Sequence, residues 1–136
     1  MMIADTSALI AFFIETDSNH IQAMKLAHLF EKETNTVIIP EDVFSELVNI
    51  LGKKFSHQQA YTVGQYISNS NVFIIESTID TVRNLALDRF QLQEASVSFT
   101  DCIVMAVADQ FETKEIFGFD EAFAKNGYIR LGLDSR

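Results

Sequence analysis

The chain is poor in everything that stiffens, cross-links or attracts anions: one proline, one cysteine, no tryptophan, and ten Lys and Arg against nineteen Asp and Glu in 136 residues. A lone Cys102 excludes an intramolecular disulfide and, lying inside an apolar run, reads as a small buried hydrophobe. No His stands at a spacing that would make it a catalytic thiol. With one Pro and five Gly there is no linker, so residues 1–136 are expected to form one domain able to bury a sizeable core. No apolar run approaches the ~20 residues of a membrane span, and the N-terminus lacks the basic flank and cleavage pattern of a secretory signal. A soluble cytoplasmic protein is the expectation.

The deficit of cations is informative. At a net charge of −9 the chain gains no overall attraction to a polyanion, which argues against a simple DNA-binding module. A nuclease is not excluded, because a divalent ion held by several acids reverses the local sign. Lys53 and Lys54 are the one adjacent basic pair, and they read more simply as a solvated helix end than as a phosphate track.

What is present is an alternation. The β-rich runs 1–4, 36–39, 72–75, 115–119 and, more weakly, 128–131 are separated by helical patterns at 7–14, 18–33, 41–54, 57–68, 77–91 and 99–112. This predicts an α/β fold with a mostly parallel sheet of about five strands, and strands without polar alternation fit burial on both faces. In such sheets ligands bind beyond the carboxyl ends of the strands. Asp5 directly follows the first run, and Asp120 follows "EIFGF". Pro40 opens a helix that carries Glu46 near the same rim. Asp101 reaches that rim if the stretch before it returns along the preceding helix: roughly 22 Å of helix against about 23 Å of extended chain.

Each acid also has a plainer explanation. Asp5 in "ADTSAL" can cap a helix, although Thr6 and Ser7 beside it can instead orient the carboxylate or hold a water. Glu46 stands at the border of an apolar stripe, where acids often simply reach water; Asp42, one turn earlier, is explained by the helix dipole. Asp120 can cap a short helix. Asp101, three residues after Ser98 and ahead of seven apolar residues, can close a capping box. The histidines, His20, His28 and His57, show no metal-ligand spacing. Taken together the acids make a stronger case: two carboxylates about 5 Å apart repel by roughly 3 kcal/mol at an effective dielectric of 20, so four that converge need protons or cations. An all-oxygen site suits Mg or Mn, ions that activate water for attack on a phosphodiester.

The segments "IADTSALIAFF", "PEDVFSELVNIL", "SFTDCIVMAVA" and "FGFDEAFAKNGY", in that order, resemble the PIN domain, most closely the VapC-type toxins of prokaryotic toxin–antitoxin pairs. The resemblance implies a three-layer α/β/α fold and a Mg- or Mn-dependent endoribonuclease that hydrolyses RNA with a metal-activated water. It also implies a small antitoxin protein as partner and a homodimer. By the same resemblance, Asp5, Asp101 and Asp120 hold metal directly or through water, Glu46 positions the attacking water or a second metal, and Ser7, Thr100 and Thr6 support them. One position departs from the pattern: members often carry Thr or Ser two residues before the last aspartate, where this chain has Gly118.

The alternative is a non-catalytic PIN-fold interaction or regulatory protein, for which retention of all four acids is not needed. A phosphoryl-accepting domain fits less well. A receiver needs an acceptor aspartate after the third strand, which reads "FIIEST", and a haloacid-dehalogenase-like phosphatase needs an Asp where Ser7 stands.

Overall fold

Five short apolar segments form one sheet in the structure, a computed structural model that describes residues 1–32 and 36–134. The strands are β1 (Met2–Ala4), β2 (Val37–Pro40), β3 (Phe73–Glu76), β4 (Glu115–Phe117) and β5 (Ile129–Arg130). The helices are α1 (Thr6–Phe13), α2 (His20–Lys32), α3 (Glu41–Lys54), α4 (His57–Ser68), α5 (Asp80–Phe90), α6 (Phe99–Gln110) and α7 (Glu121–Lys125). Every strand and helix expected from the sequence is present, with ends displaced by a few residues; residue 33, the expected end of the second helix, lies outside the described residues.

The sheet is parallel throughout and ordered β3-β2-β1-β4-β5. Of its middle strands β1 and β2 are buried along their whole length and β4 at all but Glu115, whereas the edge strands β3 and β5 are partly exposed. The rule that parallel crossovers are right-handed assigns α1–α4 to one face and α5–α7 to the other; α1 packs on α2 and α3, α3 on α4, and α6 on α5 and α7, while α3 and α6 also meet.

The order of the strands fixes where a site can be built. The chain leaves β1 toward β2 and β3, then returns across the sheet to place β4 on the other side of β1. The carboxyl ends of β1 and β4 therefore flank the switch point, where the flanking connections diverge and leave a crevice.

Helix α6 is the core of its layer. Residues Asp101 to Ala108 are all buried, as expected of a helix apolar on every side, and burial of Ile103, Val104, Met105 and Val107 contributes roughly 1.5–3 kcal/mol each. At its far end the Tyr128 hydroxyl donates to Asp109 (2.6 Å) and accepts from Arg89 (2.9 Å), pinning α5, α6 and the start of β5 together. Cys102 is fully buried, and burial, then the charge of Asp101, pushes its thiol up, so it is the inert small hydrophobe expected.

Candidate functional site

The loop after β1 brings Asp5 into the crevice. Its backbone N–H still belongs to the sheet, donating to the Phe117 carbonyl at 2.9 Å, so the side chain is aimed from the end of a rigid strand. Asp5 occupies the N-cap position of α1 but makes no side-chain cap; the plainer reading of this residue is thereby set aside. Its carboxylate instead accepts from the Ser7 hydroxyl at 3.0 Å. Thr6, the other candidate, is buried, and among the described residues its Oγ1 has no partner.

Asp101 arrives from the opposite layer. The return of the chain after α5 ends in a capping box: Asp101 N–H donates to Ser98 Oγ and Ser98 N–H donates to Asp101 Oδ2, both at 3.0 Å. The box engages Oδ2 of the carboxylate, and the same carboxylate is repelled by Asp120 and Glu46. Capping and participation in a site are thus compatible for this residue.

Burial and mutual repulsion show in the acidities. Asp5 is 6% exposed, and its pKa is pushed up to about 7, by burial first and then by the charge of Asp101, with Glu46 adding a smaller repulsion and Ser7 opposing. Asp101 is also raised, by burial first, against the lowering bonds from Ser98, and further by Asp120 and Glu46. Asp101 is coupled to each of the others: it raises Asp5, and Asp120 and Glu46 raise it.

Glu46 and Asp120 line two different clefts. Half-buried Glu46 lies in the second turn of α3 and lines an open cleft of about 610 Å³ with Asp42, Ser45, Asn49 and Thr100. Asp42 does more than complement the dipole, because it accepts from Thr78 at 2.6 Å and ties the start of α3 to the loop before α5. Asp120 is exposed and caps α7 through Oδ1, which accepts from the Ala122 N–H at 2.9 Å. It lines a second cleft, of about 360 Å³, with Gln93, Ser96, Lys125 and Asn126.

Strand β4 ends at Phe117, two residues before the expected end, and the departure at Gly118 has a physical reason. A Cβ there would lie 2.9 Å from Phe123 Cε2 and 3.1 Å from the Cβ of Asp5. Glycine is the residue that lets the β4 exit pass so close to Asp5. Gly118→Ser is therefore expected to destabilise the protein by about 1–3 kcal/mol and to displace Asp5, which urea denaturation and an activity assay would read together. A variant as stable and active as wild type would show that the loop yields freely.

The donor set suits a hard divalent cation: carboxylates and hydroxyls, with the one nearby thiol kept protonated. Among the described residues no three His, Cys, Asp or Glu side chains already close around one point as a metal cage. Mg needs no such cage, since it keeps several waters and is bound through one or two carboxylates together with substrate phosphates. The raised pKa of Asp5 and the Thr6 hydroxyl without a partner among the described residues mark a site that gains by acquiring positive charge and water. The lysine pair Lys53 and Lys54 ends α3 as a solvated turn complementing its dipole. No helix among the described residues is long and apolar enough to cross a membrane.

The sequence profile of the PIN domain matches residues 2–127. The chain is 24% identical over 130 residues to a VapC ribonuclease of Aquifex aeolicus (strain VF5), covering 94% of this chain and 93% of that protein. Its fold is similar to that of Mycobacterium tuberculosis VapC20, a Sarcin-Ricin loop cleaving toxin, with a TM-score of 0.85 at 20% identity, over 96% of this chain and 98% of that one.

Proposed function

This chain belongs to the PIN domain family, and from that membership we propose that it is a divalent-metal-dependent endoribonuclease, the VapC-type toxin of a toxin–antitoxin pair. The observation that carries the reading is the pairing of buried Asp5 with Asp101 at the switch point of the sheet. Similarity to proteins described as a VapC ribonuclease and a Sarcin-Ricin loop cleaving toxin supports RNA as substrate.

In this reading Asp5, Asp101 and Asp120 hold Mg or Mn directly or through water, and Glu46 orients the attacking water or a second ion. When bound, the ion supplies an activated water and neutralises charge on the phosphodiester. The residues do the positioning: Ser7 fixes Asp5, the Ser98 cap fixes Asp101, and Thr100 and Thr6 offer hydroxyls to ordered water. Lys125, in the cleft of Asp120, is a cation available to a phosphate on a surface that otherwise repels RNA. A small antitoxin that covers the acidic crevice, a homodimer, and a cytoplasmic location complete the proposal.

Incubation of the purified protein with structured and unstructured RNAs tests it. Cleavage is expected with Mg or Mn, loss of cleavage with EDTA, and recovery on adding Mn. A folded protein that neither binds Mn by calorimetry nor cuts RNA would instead favour the non-catalytic reading.

A further inference from the structure

Asp120 is the most exposed of the four acids, sits on a five-residue helix, and has no side chain at position 118 to steady it. We propose that Arg130 is its positioning residue, acting through the carbonyl of Phe119. Arg130 NH1 donates to the Phe119 carbonyl at 3.0 Å, and so fixes the peptide plane that leads directly into Asp120. The inference rests on Asp120 serving the proposed metal site.

The guanidinium is itself held on its remaining edge. Nε donates to Asp134 Oδ2 and NH2 to Asp134 Oδ1, each at 3.0 Å, and the Arg130 backbone N–H also donates to Oδ2 at 2.8 Å. This is the fork geometry that arginine offers and lysine does not. The pair is largely sheltered, with side chains 17% and 22% exposed.

The turn that makes this possible is local. Leu133 and Asp134 N–H groups both donate to the Arg130 carbonyl, at 3.1 and 3.0 Å, and Gly132 adopts φ +78°, which side-chain-bearing residues rarely adopt. Gln22 of α2 donates to the Gly132 carbonyl at 3.4 Å. Asp134 is thereby returned to face Arg130, and Arg130 faces the loop of Asp120. Glu121 and Asp120 also act on the guanidinium electrostatically, so the cation offsets part of the repulsion between Asp120 and Asp101. Orientation and charge are separable: Arg130→Lys keeps the charge and loses the fork, while Asp134→Asn keeps Arg130 and weakens its anchor.

The test uses the full chain, with Mn titrated calorimetrically into RNA-free protein and kcat and KM measured on an RNA that wild type cuts. Arg130→Lys is expected to weaken Mn binding by about tenfold or more and to lower kcat by a similar factor with KM unchanged, and Asp134→Asn to do the same more weakly. In an Asp120→Asn background Arg130→Lys should add little, because both act through one carboxylate. If wild type cuts RNA and binds Mn but Arg130→Lys changes neither, or its effect adds in full to that of Asp120→Asn, the positioning role is overturned and the nuclease reading stands. If wild type does neither, the nuclease reading fails and the inference with it. Should melting show that Arg130→Lys is unfolded, Asp134→Asn decides by the same readouts.

Discussion

Asp101→Asn is expected to reduce RNA cleavage by about a hundredfold to a thousandfold, the scale seen when a group aimed at developing charge is removed, without loss of the fold. Asp101 is the acid coupled to the other three, repelling Asp5 and repelled by Glu46 and Asp120, so removing its charge relaxes the whole set. The structural part of its role survives, because an amide oxygen can still accept from the Ser98 N–H and complete the capping box. Ser98→Ala should show the converse: a loss of about 1 kcal/mol in stability and a much smaller loss of activity. Rates are measured under single turnover with excess Mn, and urea denaturation supplies the stabilities. If Asp101→Asn cleaves like wild type, the carboxylate has no part in the chemistry.

Without divalent ions, the stability of the protein is expected to fall as pH rises from about 4 to above 7. A carboxyl whose folded pKa is raised binds more protons in the folded than in the unfolded state between the two values. Folding therefore loses free energy with rising pH through that window, and the cost is complete above the folded pKa. For Asp5, raised from 3.8 to about 7, the cost is of the order of 4 kcal/mol, and the raised Asp101 acts in the same direction. Asp5→Asn should flatten the profile, making the variant more stable than wild type at pH 8 in EDTA while inactive. Excess Mg or Mn at pH 8 should stabilise wild type but not Asp5→Asn, since a ligand that binds only the folded state stabilises it by mass action. Urea denaturation at pH 5 and pH 8, with and without metal, measures all four quantities. An unchanged wild-type stability between the two pH values would mean that Asp5 is already relieved by water or neighbours.

Much of this was legible in the sequence because the fold is governed by local patterns. Apolar runs such as "TVII" and the all-round apolar "CIVMAVA" mark buried strand and buried helix without further information, and the acids at strand ends follow from the geometry of parallel sheets. The capping box of Ser98 and Asp101 was equally plain, being a contact three residues apart. What escaped was tertiary. Nothing in the sequence places Gly118 against the Cβ of Asp5, because that approach depends on β4 lying beside β1. Arg130 gave no signal, since its value comes from a carbonyl eleven residues earlier and an aspartate that a tight turn brings back. Asp42 looked like dipole complementation because its partner Thr78 lies on another connection. The caps on Asp5 and Asp120 illustrate the same limit in opposite senses: identical expectations, met at Asp120 and unmet at Asp5, where Ser7 takes the carboxylate.

Anomalous diffraction from a Mn-soaked crystal tests most directly whether these four acids make a metal centre. One peak, or two, is expected in the crevice between Asp5 and Asp101, with Asp120 and Glu46 turned toward it directly or through water. Saturating Mn with no peak there, and with Asp5 still accepting from Ser7 as it does without metal, would contradict it.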